Sequence, residues 1–578
     1  MKQFVKYVLA TVVGLALFSF LISFLGLIGL GSLVALSESK NPVLPKSVLS
    51  IHLEGNLVDR SQEDIWTLLS SDETLTIGLD DILQSIEAAK KNDDIKGIYL
   101  STGLFEGGYA SIAEIRQALL SFKETGKFVI AYSGAYTQKC YYLASVADKV
   151  FLNPEGVIDL NGVSSSTLFY KNLLKNIGVD MQVIKVGTYK SFSEQYTNTE
   201  MSPANKEQLQ VLTSSIWKSL LDDISVSRGI PVDSLDAMAS SFVSFQSQEQ
   251  CLNWNLVDSL CYYDEVETYI GQSLGLDEGE EISILEPKDL LQDDLTQLGG
   301  GQEVAVVYAI GEIDNGTVDG INSSELAKTL RELAKNDEVS AVVLRVSSPG
   351  GSAYGSEQIW RAVELVKARK PVVVSMGDYA ASGGYYLSCG AHRIFAESTT
   401  VTGSIGIFCV IPNAEGLMEK IGIDYESVNT NPFADAPNIL RPLSDSERRI
   451  LQEYVNKGYH LFVNRCAEGR NMPYDELEKI AQGRVWSGAS ALQLNLVDQI
   501  GGLDDAIASA AAMANVSDYT VTEYPKKKTL LESLQEKPSL GMDKLFFGTT
   551  LKRERDVLER VRKIERMQAI LPYELEIQ

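Results

Sequence analysis

The chain has 578 residues, 45% of them hydrophobic and 22% charged; this is several times the roughly 100–150 residues of an ordinary domain, which excludes a single compact core. Lys and Arg number 51 against 77 Asp and Glu, a formal charge of −26, and that balance argues against a nucleic-acid binder, which needs clustered cations to neutralise phosphate. Six cysteines without C-x-x-C spacing exclude a disulfide scaffold or structural zinc site, and only three histidines, His52, His392 and His460, leave little material for imidazole chemistry. Cys251 and Cys261 are candidates for pairing if the compartment is oxidising.

In chain order, residues 7–36 come first: they carry no charge and are flanked by Lys2 and Lys6 before and Glu38 and Lys40 after. The run is longer than the roughly 7–15 apolar residues of a cleaved signal and exceeds the about 20 that span a bilayer. It predicts an N-terminal transmembrane helix within a membrane anchor at 1–40. The basic flank places the N-terminus in the cytoplasm. The rest of a single-pass protein then lies outside the cytoplasm, with the lipid bilayer as a partner.

Residues 127–163 align without a gap on 371–407 at a constant offset of 244, which also carries 98–100 onto 342–344 and 177–180 onto 421–424. Asn255-Leu256-Val257-Asp258 recurs as Asn495-Leu496-Val497-Asp498. The remainder therefore reads as two homologous halves, 47–265 and 303–515, joined by an acidic linker at 266–302 and followed by a charged tail at 516–578. Apolar runs at 304–310, 341–346, 371–376 and 393–396 predict buried strands, and amphipathic spacing over 356–368 and 446–466 predicts helices. Such alternation predicts an α/β class with largely parallel strands. The tail reads as a solvated or subunit-contacting appendage.

Three glycine-rich turns each follow a strand in the second half, at 347–352, 377–386 and 402–406. Adjacent glycines let backbone approach a ligand and aim N–H groups at a developing oxyanion. Ser382 stands where a strand passes into an apolar helix, a place whose partial positive charge favours an alkoxide. With three histidines and none in these turns, a Ser-His-Asp triad is a poor fit. The repeat points elsewhere. Gln138 occupies the position equivalent to Ser382, and Leu160 that of Ser404, so the first half lacks the nucleophile. It does carry Val186-Gly187-Thr188-Tyr189-Lys190-Ser191, while the second half has Ala434 opposite Lys190. One copy keeps a serine and the other a lysine, as division of one active site between halves would leave.

The motifs D-Y-A-A-S-G-G-Y-Y, S-P-G-G, T-G-S-I-G and V-G-T-Y-K-S together resemble the long, duplicated form of the signal peptide peptidase A family, membrane-anchored bacterial proteases of the S49 group. The resemblance covers the anchor and both halves. It implies two tandem ClpP/crotonase-like domains, a Ser-Lys dyad, a homotetramer, and degradation of signal-peptide remnants and other apolar peptides at the bacterial inner membrane, with the catalytic part periplasmic. Carried over by motif, Ser382 is the nucleophile, Lys190 the general base and Ser404 the residue that orients the amine, while Gly383, Gly350 and Gly351 form the oxyanion-hole region. No metal or organic cofactor is called for, and Asp378 reads as shaping its turn.

Elementary chemistry adds a demand. A lysine with a pKa of about 10.4 is neutral in only about one molecule in a few thousand at pH 7, so it serves as a base only when desolvated. Two other functions are compatible with the same loops: a crotonase-type acyl-CoA enzyme, and a catalytically silent peptide-binding scaffold, whose function would survive Ser382→Ala or Lys190→Ala.

Overall fold

Valine- and isoleucine-rich runs, buried on both faces, set the architecture. The computed structural model describes residues 6–7, 14, 18, 40–61, 76–277, 279–291, 302–314, 320–527 and 568–570. In the first half the strands are β1 (Ser47–Val58), β2 (Thr76–Gly78), β3 (Ile95–Glu106), β4 (Phe128–Tyr136), β5 (Lys149–Ile158), β6 (Asp180–Val186), β7 (Ser259–Leu260) and β8 (Ile284–Leu285). The second half has β9 (Gln302–Ile310), β10 (Val339–Ser348), β11 (Gly350–Ser352), β12 (Val372–Ala381), β13 (Arg393–Ala396), β14 (Val401–Gly403), β15 (Ile407–Asn413), β16 (Val485–Ser487), β17 (Gln499–Ile500) and β18 (Tyr519–Tyr524). The tail adds β19 (Gln568–Ile570).

The first sheet runs β2-β1-β3-β4-β5-β7, with β8 beside β1, and every pairing is parallel. The second runs β16-β14-β12-β10-β9-β18, with β13 and β17 attached through β12, and is parallel except between β14 and β16. The connectivity β1-β3-β4-β5-β7 thus recurs as β9-β10-β12-β13-β17, the structural counterpart of the sequence repeat. Alternate residues of the second sheet feed opposite layers. Ala305, Val307, Val342 and Leu344 join the core beneath the helices Ser323–Lys335 and Ala353–Lys367, while Val304, Val306, Val343 and Val373 pack on Leu503–Met513. Covering both faces is what a parallel sheet requires. The expected strands and helices are present, that at 393–396 with the same bounds and the others extended or shifted by a few residues. All six cysteines are buried free thiols, Cys251 and Cys261 included.

Two features lock the halves together. β6 of the first half pairs antiparallel with β15 of the second, from Val186 opposite Ile407 to Asp180 opposite Asn413. The second is a buried cation: Arg345 on β10 is 1% exposed. Its Nε donates to Asp59 at 2.8 Å, its Nη2 to Glu114 at 2.6 Å and its Nη1 to Ser375 at 2.9 Å. Glu114 also accepts from the Leu503 amide at 2.8 Å. Burial pushes the Glu114 carboxyl up and Arg345 opposes it. Asp378, half-buried at the end of β12, accepts from the amide and hydroxyl of Ser111 at 3.0 and 2.7 Å; its bonds bridge the halves rather than closing its own turn.

One expectation is corrected. Among the described residues no helix is long and apolar enough to cross a membrane. The two longest, Pro203–Arg228 and Asp445–Gly469, are amphipathic: each buries one face and exposes charges such as Lys206, Lys218, Glu453 and Lys457 on the other. The N-terminal transmembrane helix therefore has no counterpart in the described fold, and nothing in the described residues supports the single-pass inner-membrane topology, the periplasmic placement or the bilayer as partner. The run at 7–36 lies almost wholly outside the described residues.

Arg345→Met leaves Asp59 and Glu114 without their buried cation, so a loss of about 3–5 kcal/mol is expected from denaturant or thermal midpoints. In that variant the Glu114 carboxyl, which burial pushes up, loses the cation that opposes the rise. The stability deficit should therefore shrink as the pH is lowered into the carboxyl range; a deficit independent of pH would show that the network is not held by charge.

Candidate active site

Strand β12 ends at Ala381 and the helix Gly383–Ser388 begins two residues later. Ser382, the residue between them, has φ +55° and ψ −111°, a conformation that non-glycine residues rarely adopt. Two bonds hold it there: its amide donates to Gly403 O at 2.8 Å, and its carbonyl accepts from the Tyr386 amide at 2.9 Å. The hydroxyl therefore projects from a fixed elbow.

Lys190 arrives from the other half. It follows β6, which the pairing with β15 lays across the second half, and the loop 187–191 is then clamped from several sides. The Tyr189 amide donates to Gln482 O at 2.9 Å, and Gln208 donates to Tyr189 O and Ser191 Oγ, each at 3.0 Å. Lys190 Nζ lies 2.8 Å from Ser382 Oγ, 3.0 Å from Ser404 Oγ and 3.0 Å from Ser404 O. Ser382 and Ser404 are fully buried and Lys190 is 1% exposed. All three come from one chain.

The protein-family comparison matches peptidase family S49 twice, at residues 121–277 and 364–517, and so takes in Lys190 with the first match and both serines with the second. The chain belongs to peptidase family S49. It is 34% identical over 543 residues to Protease 4 of Salmonella typhi, covering 89% of this chain and 86% of that one. Protease 4 of Haemophilus influenzae is 33% identical over 497 residues, 83% of this chain and 81% of its own. The chloroplastic serine protease SPPA of Arabidopsis thaliana is 30% identical over 514 residues, 87% and 73%. The protein is thus a serine-type endopeptidase, and the acyl-CoA and silent-scaffold alternatives are set aside.

Burial alone drives the Lys190 amine well below its usual range. The Phe408 ring, its centroid 5.9 Å from Nζ, forms part of the dry wall. A neutral amine has two protons and one lone pair, which matches two contacts to Ser404 and one to Ser382. Gly350 and Gly351 have φ +108° and +147°, and a Cβ on Gly351 would stand 2.3 Å from Ile313 O. Gly384 approaches Ser348 O so closely that a Cβ would lie 2.7 Å away. These contacts bring the Gly350-Gly351 turn against the start of the Gly383–Ser388 helix, whose first amides have no partner within the helix.

The other half shows why there is only one such constellation. Gln138, in the place of Ser382, donates to Tyr109 Oη at 2.7 Å and accepts from the Asn161 and Gly162 amides at 3.1 and 3.0 Å. Its amide fills the corresponding space. Leu160 is buried where Ser404 would be, and Ala434 sits exposed on a loop. The histidines bond elsewhere, His52 to Ser101, His392 to the Val372 amide and His460 to Tyr474.

Two residues escaped the sequence reading. Gly483 has φ +78°, and a Cβ there would come within 2.6 Å of Lys190 Cβ; Phe408 walls the amine. The A-Q-G-R run at 481–484 carries no sign of its role, since only the fold brings it to Lys190. Gly483→Ala is expected to displace the lysine and lower peptide-hydrolysis kcat by about 100-fold, measured by steady-state kinetics. Lys190→Met should abolish turnover yet raise the denaturation midpoint. In the wild type the unfolded chain takes up a proton that the buried amine resists, so stability is lost as pH falls below the ordinary lysine pKa. The stability advantage of the methionine variant should therefore widen as pH falls.

Proposed function

We propose that Ser382 is the nucleophile and Lys190 the general base of a Ser-Lys endopeptidase. The observation that carries this reading is the 2.8 Å contact between a desolvated amine and a serine hydroxyl held in a strained elbow. Neutral Lys190 takes the Ser382 proton as Oγ attacks the scissile carbonyl. Ser404 receives the two N–H groups of the amine and turns its lone pair towards Oγ. The oxyanion forms against the amides of Gly383 and of the Gly350-Gly351 turn. Lysine then returns the proton to the leaving amine, the C–N bond breaks, and water repeats the sequence on the acyl-enzyme, releasing Ser382 and the new carboxylate.

The substrates in this reading are extended apolar peptides of the kind left by signal-peptide removal. The apolar Phe408 ring beside the amine supports that class, as does the resemblance of the motifs. The halves 47–265 and 303–515 act as lysine and serine donors to a single site.

Activity should rise with pH as Lys190 deprotonates, its midpoint lying below that of an ordinary lysine, about 10.4. Ser382→Ala and Lys190→Ala should each lower kcat on a peptide substrate by about 10³-fold or more. A serine-directed covalent reagent should label Ser382, as read by mass spectrometry of the digested protein. Wild-type turnover in both variants, or label on another residue, would refute the assignment.

A further inference from the structure

The loop that carries Lys190 leaves β6, the last strand of a third sheet ordered β11-β19-β15-β6, and is met by residues 481–486 of the second half. That segment grips the loop at the backbone, where Gln482 O accepts from the Tyr189 amide at 2.9 Å, and again through a side chain that has no role in the chemistry above. The Arg484 guanidinium lies over the rings of Tyr189 and Trp486, 4.7 and 4.5 Å from their centroids. Its Nη1 donates to Tyr189 Oη at 3.2 Å and its Nη2 to Glu207 at 2.8 Å, and Glu207 accepts in turn from the Tyr189 hydroxyl at 3.2 Å. The backbone of the same residue reaches the amine's other neighbour: Arg484 O accepts from the Ser404 amide at 2.7 Å. Trp486 is fixed as well. Its Nε1 donates to Ile480 O at 3.0 Å, and its indole lies so close to Gly403 that a Cβ there would stand 2.8 Å away.

We propose that Arg484 is a positioning residue for the general base, coupling the lysine loop of the first half to the Ser404 turn of the second so that the amine and both serines stay in register. The proposal rests on the reading of Ser382 and Lys190 as the catalytic pair. Its side chain holds the residue before Lys190, while its main chain holds Ser404, whose hydroxyl and carbonyl each lie 3.0 Å from Nζ. The neighbouring Gly483 presses on the lysine itself, since a Cβ there would come within 2.6 Å of Lys190 Cβ. A planar cation stacked on aromatic faces with its N–H fork engaged is a stiffer link than an ammonium in the same place. Stiffness matters here because Nζ must stay 2.8 Å from Ser382 Oγ, and a displacement of about 1 Å costs about 100-fold in rate. Loosening the link also admits water to the loop, and desolvation is the cause that lowers the Lys190 amine.

In the full chain, Arg484→Met and Tyr189→Leu each remove the stack and leave the serines and the lysine in place. Each is expected to lower kcat on a short peptide ester about 10- to 100-fold, with KM within about twofold of wild type. A wetter amine keeps its proton to higher pH, so the midpoint of the kcat profile should rise by about one pH unit towards that of an ordinary lysine, about 10.4. Both substitutions break one contact, so the double variant should lose no more than the worse single. Arg484→Lys keeps the charge but not the plane and should resemble Arg484→Met. Wild-type kcat in both single variants, losses that multiply in the double variant, a fall in kcat with an unmoved pH midpoint, or wild-type kinetics in Arg484→Lys would each overturn the proposal. A stability comparison needs no turnover: the rise in denaturation midpoint on Lys190→Met should be smaller in the Arg484→Met background, where the amine is already wetter. A diminished rise together with undiminished turnover in Ser382→Ala would overturn the catalytic pair while leaving Arg484 its hold on the lysine loop. An undiminished rise with wild-type kcat in Arg484→Met, beside an inactive Ser382→Ala, would do the reverse.

Discussion

A lysine amine sealed from water against a serine hydroxyl is the constraint around which the rest of this molecule is arranged. Burial disfavours the ammonium form, and among the described residues no carboxylate rescues it, desolvation being the cause that acts on Lys190. The surroundings must then supply dryness and hydrogen-bond geometry together. Phe408 provides the first, Ser404 the second, and Gly483 the clearance that lets the lysine loop lie flat against the other half. The serine elbow at positive φ is a strained conformation of the kind tolerated only where neighbouring structure over-determines it. Here the Gly403 carbonyl and the Tyr386 amide do so.

Such a contact between groups on different halves demands that the halves not move. Two unlike devices meet that demand. The β6–β15 pairing is a backbone seam close to the site, and it continues directly into the lysine loop. The Arg345 network centres on a buried guanidinium, with two carboxylates and a hydroxyl around it. A buried network of this kind contributes little net stability but tolerates few alternative arrangements, which suits a function of holding register.

Duplication explains the asymmetry. Both halves present a strand followed by a short helix at equivalent places, but the first half enters its helix through Thr137 in ordinary extended backbone, and Gln138 there bridges Tyr109 and the 161–162 backbone. The second half's counterpart of the lysine loop ends in exposed Ala434. Each copy has lost what the other kept, and the shared third sheet is what makes the remaining parts meet.

Much of this could be read from the residues alone. The repeat offset foretold two equivalent sheets. Strand positions such as 304–310 followed from unbroken apolar runs that only a doubly covered sheet can bury, and the mismatch of Ser382 with Gln138 and of Lys190 with Ala434 singled out the two side chains that the fold brings together. An uncharged run, by contrast, reports hydropathy and length but not what structure it adopts, and the membrane helix inferred from 7–36 has no counterpart among the described helices. Gly483, Phe408, the Arg345 network and the Arg484 stack were likewise invisible, because each depends on contacts between segments tens to hundreds of residues apart. Local pattern determines which elements form and which chemistry they carry. Only the tertiary structure decided which of them touch, since burial, and with it the state of the Lys190 amine, is a property of the packed whole.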